Sequence, residues 1–485
     1  MIKQAARRVS TLFAITVLLS CLPSLSVAED RMNVVFILVD DWGYADAGIQ
    51  GSDFFETPNI DRFARQGLRF TQAYAAAPIC SPTRAAIMTG KFPARLDMTI
   101  WHEAAARQRI SKRKLIEAKA VANLPLAEVT LAELFKQKNY ATAHVGKWHL
   151  GQAAFYPEAQ GFDLNVGGTY WGAPATFFHP FRGPWSKTDP ELRYVPVGTG
   201  KPGDYLTDKL TDHALRFIEQ QQVQPFFLSL WFHTVHTPIE GKSKLVQHFQ
   251  AKKPGKIHNH CDYAAMVASL DENVGRILQR LDDLKLAENT VVILTSDNGG
   301  LDIPNAKSNR IAPTRNAPYR SGKGTLYEGG IRVPLMIRWP GVTTAGNECQ
   351  EMVSSQDFYA TLAEAAGHRA ADLPKHDGEN LGPLLKNPRQ RLSRKTLYWH
   401  YPHYYSRMTP ASAVRDGDWK LIHYYEDDRL ELFNLQDDPA ETKNLATVLP
   451  TRTQALQIKL NTWRQQTDAK APTANPDWKP AGNKK

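Results

Sequence analysis

Two stretches of this chain present oxygen-bearing side chains in the same way. "MNVVFILVDDWG" puts Asp40 and Asp41 directly after the apolar run Val34 to Val39, and "TVVILTSDNGG" puts Asp297 and Asn298 just past Val291 to Leu294. Hard oxygen donors with no histidine or thiolate among them suit calcium or magnesium, with calcium tolerating an irregular shell better, and they disfavour zinc. Either pair alone reads equally well as a cap or turn former. Together they favour a cation site. A third stretch, "ICSPTRAAIMTG", predicts a helix begun by Ser81 and Pro82 whose amino end faces Cys80. Free N–H groups and the helix dipole favour an anion there, and Arg84 lies on the first turn. Lys147 and His149 in "GKWHLG" are two apart, so an extended segment gives them one face. His236 follows "FFLSLWF", and Lys323 sits in "SGKGT". A tetrahedral oxyanion beside a divalent cation, ringed by fixed positive charge, is the arrangement that sulfuryl or phosphoryl transfer requires.

Such groups must be held by a sheet. Val34–Val39, Val291–Leu294 and "PFFLSLWF" read as strands buried on both faces, ending where ligands bind in open α/β sheets. Helix signals alternate with them. Thr57-Pro58 starts one helix with Ile60, Phe63 and Ala64 on one face and Gly67 as its stop. Thr130 to Glu133 is a capping box leading to the short strand "ATAHV". From about Arg394 the texture changes: "LYWHYP", "SAVRDGDWKLIHYY" and "RLELFNL" predict a small antiparallel sheet, followed by an amphipathic helix around Leu456 to Trp463. The expected organisation is 1–28 export signal, 29–393 catalytic α/β domain, 394–466 α+β subdomain and 467–485 frayed tail.

The 485 residues, 42% hydrophobic and 22% charged, exclude a disordered or fibrous chain. Lys3, Arg7 and Arg8 precede the apolar run Leu12 to Leu19, and Ser26-Val27-Ala28 offers a cleavage site, so the protein is expected in the periplasm or outside the cell. Acylation of Cys21 as a lipoprotein is the rival reading. No later run is long enough to span a bilayer. Without Cys21 three cysteines remain, Cys80, Cys261 and Cys349; an odd number leaves at least one unpaired, and pairing of Cys261 with Cys349 stays open. The formal charge of +10 suits a polyanionic glycan, whereas dispersed basic residues on an exported chain argue against nucleic acid.

"CSPTR" resembles the Cys-x-Pro-x-Arg signature of type I sulfatases, and "DDWG", "GKWHLG", "SDNGG" and the closing "ELFNLQDDPAETKNLA" occur in that family's order. Thr83, Met88 and Lys91 depart from its usual serine, leucine and arginine, leaving Cys80, Pro82 and Arg84 intact. The resemblance implies an alkaline-phosphatase-like α/β fold: a large, mixed, mainly parallel sheet flanked by helices, plus the small C-terminal antiparallel sheet with its helix. It implies that a maturation enzyme oxidises Cys80 to 3-oxoalanine (formylglycine), whose hydrate attacks sulfur to give a covalent sulfate ester. Asp40, Asp41, Asp297 and Asn298 would hold one Ca²⁺ against Cys80 and the sulfate, and Asp297 would also accept the attacking hydroxyl's proton. Arg84 and Lys147 would orient the diol, Lys323 would bind a sulfate oxygen, His236 would protonate the leaving oxygen and His149 would take the second hydroxyl's proton. The resemblance points to carbohydrate sulfatases related to N-acetylgalactosamine-6-sulfatase and arylsulfatase A, hence to a sulfated galactose-type or glycosaminoglycan sugar. Tyr170, Trp171 and His179 in "GGTYWGAPATFFHPF", with His102, are the expected sugar contacts. Two alternatives remain: a phosphonate monoester hydrolase or phosphodiesterase of the same fold, and a sulfated-glycan binding protein whose Cys80 stays a thiol.

Overall fold

The computed structural model describes residues 31–107, 113–185, 191–304 and 311–479. The expected export signal and Cys21 lie outside the described residues. The principal sheet has eight strands: β1 (Asn33–Val39), β2 (Leu68–Phe70), β3 (Ala141–Gly146), β4 (Leu164–Val166), β5 (Phe226–Trp231), β6 (Thr290–Ser296), β7 (Leu335–Arg338) and β8 (Asn347–Cys349). Their order is β8-β2-β7-β6-β1-β5-β3-β4. The run from β6 through β1, β5 and β3 to β4 is parallel, while β7 pairs antiparallel with both β6 and β2. Every residue of β1 is buried. Val35, Ile37 and Val39 enter one apolar core and Val34, Phe36 and Leu38 the other, the period-two division of a strand covered on both faces.

Helices complete the two cores. Helices α1 (Pro58–Gln66), α2 (Cys80–Thr89), α3 (Leu131–Gln137), α4 (Leu206–Gln220), α5 (Cys261–Asp283) and α6 (Asp357–Ala365) divide between them. Ile60, Phe63 and Ala64 of α1 join α4 and α5 in the first core, and α2, α3 and α6 fill the second. Thr130 caps α3 through the full reciprocal box with Glu133, as the sequence predicts. Thr57 stands at the N-cap of α1, but its side chain bonds none of the helix N–H groups: its hydroxyl donates to Asp61 Oδ1 at 2.9 Å and accepts from the Gly48 N–H, because Asp61 lies one turn along and competes for it.

Past residue 394 the chain builds a four-stranded antiparallel sheet, β9 (Thr396–Tyr401), β10 (Ala411–Asp416), β11 (Trp419–Tyr424) and β12 (Leu430–Asn434), and then helix α7 (Pro450–Gln466). One sheet face packs Val414, Leu421 and Leu432 on Leu456, Leu460 and Trp463 of α7. The other packs Trp399, Tyr401 and Phe433 on Tyr74, Ile79 and Leu326. A buried charge cluster closes this seam. Lys420 Nζ lies 3.0 Å from Glu328 Oε1 and 2.8 Å from Glu441 Oε1, and Tyr74 donates its hydroxyl to Glu328 at 2.6 Å. The expectation of a frayed tail from Thr467 is corrected in part: Thr473–Ala474 pairs antiparallel with Leu115–Ile116, because Asn475 also anchors there by donating to the Lys114 and Arg113 carbonyls. Cys80, Cys261 and Cys349 are all free, so Cys261 and Cys349 are not paired. Among the described residues no helix is long and apolar enough to cross a membrane.

Candidate active site

Four parallel strands end side by side, and their next residues make the site. Val39 of β1 is in register with Ser296 of β6, so Asp40 and Asp297 emerge on neighbouring rungs, and the Asp297 N–H donates to the Val39 carbonyl at 3.2 Å. On the other side of β1, Lys147 follows β3 and donates its N–H to the Trp231 carbonyl of β5 at 2.7 Å. The turn beyond β5 brings His236, whose Nε2 lies 3.6 Å from Asp41 Oδ2. Gly299 lets the β6 end approach the segment carrying Lys323: an added Cβ would meet the Gly329 carbonyl oxygen at 1.9 Å.

Helix α2 supplies the centre. All ten of its residues are buried, and it begins at Cys80 itself with Ile79 as N-cap. Ser81 is therefore not the cap that the sequence predicts. Its hydroxyl donates to the His149 carbonyl at 2.8 Å instead, tying α2 to the "GKWHLG" turn. Cys80 Sγ lies 3.5 Å from Asp40 Oδ1. Arg84 donates from Nε to Asp297 Oδ2 at 2.8 Å and from Nη1 to the Lys147 carbonyl at 2.7 Å, with its guanidinium over the Trp231 ring.

Three carboxylates and three cations interlock in this buried volume. Lys147 Nζ reaches Asp40 Oδ2 at 2.6 Å, Lys323 Nζ reaches Asp41 Oδ1 at 2.7 Å, and Arg84 holds Asp297. Burial raises Asp40 to about 7 against the pull of Lys147. Burial acts on Asp41 and Asp297 in the same sense, but Lys323 and Arg84 respectively outweigh it and hold both below the usual carboxylate range. Burial pushes the Cys80 thiol far up, so it stays protonated. Burial, with Lys323 adding to it, lowers His236 to about 3. Its Nδ1 contacts the Thr237 carbonyl at 2.8 Å, and a carbonyl only accepts, so the neutral ring carries its proton on Nδ1 and a lone pair on Nε2.

The donor set fits a hard cation. Atoms of Asp40, Asp41, Cys80 and His236 lie within 4.8 Å of one another. Asn298 donates its amide to Asp41 Oδ1 at 2.8 Å, leaving its own Oδ1 buried without a hydrogen-bond partner among the described residues. A buried, unpartnered oxygen beside three carboxylates has the bonding capacity that an ion of the Ca²⁺ type would satisfy.

The remaining expected residues are placed unequally. Lys147 and His149 do not share a face, because His149 has φ of 61° and its Nε2 turns to Glu103 Oε2 at 2.6 Å. Burial lowers His149 to about 4, so it is neutral. Tyr170 is half-buried, with its ring 5.5 Å from that of His102. Trp171 is 2% exposed, with Tyr170 and Arg193 packed on it, so it underlies the wall and offers no open face for a sugar. His102 is buried, its Nδ1 bonded to the Ala122 carbonyl. His179 packs against Phe181 and Gly200 and donates its N–H to the Asp204 carbonyl, and none of these three residues belongs to the catalytic cluster. Glu103 and Tyr405 were not legible in the sequence. Tyr405 comes from the β9–β10 connection and lies over Gly324, beside Lys323, with Trp101 edge-on to it at 6.0 Å. Nothing in its local sequence distinguishes it from the other tyrosines of "YPHYYS".

A sulfatase family model matches residues 32–368, and one described as N-sulphoglucosamine sulphohydrolase, C-terminal, matches residues 321–468. A sulfatase of Formosa agariphila is 33% identical, over 90% of this chain and 88% of its own. N-acetylgalactosamine-6-sulfatase of Homo sapiens is 32% identical, over 81% of this chain and 75% of its own. The crystal structure of Ps i-CgsB in complex with k-i-k-neocarrahexaose is similar at TM-score 0.71 and 27% identity, covering 92% of this chain and 94% of that one. The fold is the alkaline-phosphatase-like fold of its sulfatase neighbours. With a family match across most of the chain and sulfuric ester hydrolases among its relatives, this chain belongs to the sulfatase family.

Proposed function

We propose that this sulfuric ester hydrolase removes sulfate from a sulfated carbohydrate of galactose or N-acetylgalactosamine type, after export to the periplasm or beyond. The observation that carries the reading is the closure of Asp40, Asp41, Asp297 and Asn298 around Cys80, with Lys147, Lys323 and Arg84 locked onto the same carboxylates. Those four oxygen-bearing residues would hold Ca²⁺, and Cys80, oxidised by a maturation enzyme to 3-oxoalanine, would supply a hydrated aldehyde as nucleophile. Burial keeps the Cys80 thiol protonated, which argues against the thiol itself as the nucleophile.

The chain's own groups divide the electrostatic work. Lys147 and Lys323 each have an aspartate partner and donors to spare, so they offset an arriving sulfate without moving far. Arg84 holds Asp297 and shapes the floor. Neutral His236 faces Asp41 with the Nε2 lone pair; the single negative charge of a sulfate ester beside it would raise its affinity for a proton taken up from solvent, which it would then pass to the leaving sugar oxygen. The names of N-acetylgalactosamine-6-sulfatase and of the neocarrahexaose complex support a sugar as the leaving group, as does the aromatic pair Trp101 and Tyr405 beside Lys323.

Sulfate release from defined sulfated mono- and oligosaccharides, using protein coexpressed with a maturation enzyme, tests this. Turnover of a galactose-type sulfate is expected, with the Cys80 peptide carrying the aldehyde mass. Dominant turnover of an aryl phosphodiester would reverse the substrate assignment, and an unmodified thiol together with no sulfate release would make the protein a glycan binder.

A further inference from the structure

Glu103 takes no part in the proposed chemistry, yet it is tied to it from two sides. It lies in the short helix His102–Arg107 and is nearly enclosed. One carboxylate oxygen accepts from His149 Nε2 at 2.6 Å, and the other accepts the Gly172 N–H at 3.0 Å. The frame around this pair is rigid. Ser81 Oγ donates to the His149 carbonyl and accepts the His102 N–H at 3.3 Å, while the His149 N–H donates to the Thr169 carbonyl at 3.0 Å. Gly172 lies flat on the imidazole, where an added Cβ would come within 2.3 Å of its Cε1. His149 Nδ1 is buried and has no hydrogen-bond partner among the described residues.

The bonding capacities fix the proton. An ionised carboxylate is acceptor-only, so His149 must present Nε2–H to it, and a neutral imidazole then keeps its lone pair on Nδ1. Glu103 is ionised: burial would lift it, but His149 and the Gly172 N–H outweigh burial and hold it below the usual range.

We infer that Glu103 is a positioning residue for His149, holding it as the Nε2–H tautomer with Nδ1 free to accept a proton, and joining that ring to the sugar-side turn through Gly172. This rests on the sulfatase reading above and on the role that the family resemblance implies for His149, taking the proton of the second hydroxyl so that sulfate is released. There Nδ1 would take the proton of the second hydroxyl on the oxidised residue 80 as that oxygen forms the C=O bond and the carbon–oxygen bond to sulfate breaks, sulfate leaving with the electron pair; Nε2–H would stay bonded to Glu103, whose carboxylate pairs with the imidazolium so formed.

Glu103→Gln gives a sharp test because an amide has one acceptor and one donor where the carboxylate has two acceptors. With its oxygen kept on the Gly172 N–H, the amide nitrogen must donate to Nε2, and the imidazole proton moves to Nδ1. Ring ¹⁵N NMR of histidine-labelled protein reads the tautomer without turnover, the His149 signals being assigned by their loss in His149→Gln. The expected result is Nε2–H in the wild type and Nδ1–H in Glu103→Gln, with kcat reduced about 10²–10⁴-fold and KM within about threefold. A wild-type His149 that is charged at pH 7 or protonated on Nδ1 overturns the inference. An unchanged tautomer in Glu103→Gln does so too, as does a kcat within about threefold of wild type. The wild-type spectrum alone decides the tautomer even where the variant fails to fold. A tautomer switch in a protein that desulfates nothing would instead remove the proposed function and leave the hold on His149 standing.

Discussion

Lys420→Met should unseat the C-terminal sheet from the catalytic body in a pH-dependent way. Lys420 is fully buried between two buried carboxylates, 3.0 Å from Glu328 and 2.8 Å from Glu441. At an effective dielectric of about 20, each contact is a gross attraction of about 5 kcal/mol, most of it offset by desolvation. Glu328 keeps Arg332 at 3.3 Å and Arg415 at 3.9 Å after the substitution. Among the described residues Glu441 keeps only the Glu328 N–H on its carboxylate, so the loss falls on it, about 3–5 kcal/mol while it stays ionised. It escapes by taking a proton. Burial already pushes Glu441 up to about 7 in the intact protein, well above its ordinary 4.5. A raised folded value means stability that is full below 4.5 and lost as pH climbs through 7. Between pH 6 and pH 8 the wild type therefore loses about 1 kcal/mol through this group. Lys420→Met raises Glu441 further and should lose between about 2 and 3 kcal/mol over the same span. Urea unfolding followed by tryptophan fluorescence at the two pH values measures both slopes. Equal slopes, or a deficit below about 1 kcal/mol at pH 8, would refute the reasoning.

Calcium should raise the thermal midpoint of the wild type, by about 2.7 kcal/mol of stability at a hundredfold excess over Kd, and Asn298→Ala should weaken that shift at least tenfold in concentration; no shift in the wild type would remove the cation from the site. Cys80→Ala and Asp297→Ala should each abolish sulfate release, by at least about 10³-fold, with circular dichroism unchanged, and near-native rates in either contradict the roles given to them. Gly172→Ala forces His149 aside and should cost about 1–3 kcal/mol of stability and at least about tenfold in kcat, read by unfolding and steady-state kinetics; a neutral effect would mean the turn yields instead.

The sheet and the charged centre were legible because each comes from a local pattern with a physical cause. β1 and β6 are apolar runs ending in oxygen donors, and parallel register then makes those ends neighbours. The α3 capping box is likewise complete within four residues. What escaped the sequence depends on groups meeting from distant segments. Ser81 has cap chemistry, but the His149 carbonyl claims its hydroxyl and the helix starts a residue earlier. Trp171 has the composition of a sugar platform and is spent on packing with Arg193. Glu103 precedes three alanines with nothing to mark it, and only the fold sets it against His149. Tyr405 reaches Lys323 from a subdomain whose strands carry none of the central carboxylates or cations.

The central charges are stored in strand register, whereas the 167–173 turn and the helix His102–Arg107 are separate pieces: Glu103 joins them to each other and to His149, while the Thr169 carbonyl and the His102 N–H add one backbone bond each to the centre. This joint makes the outer wall exchangeable on defined terms. A relative's loop grafted in place of the 167–173 turn can bring a new shape for the leaving group, provided it presents a glycine N–H to Glu103. A graft without that glycine would disarm the machinery it was meant to redirect.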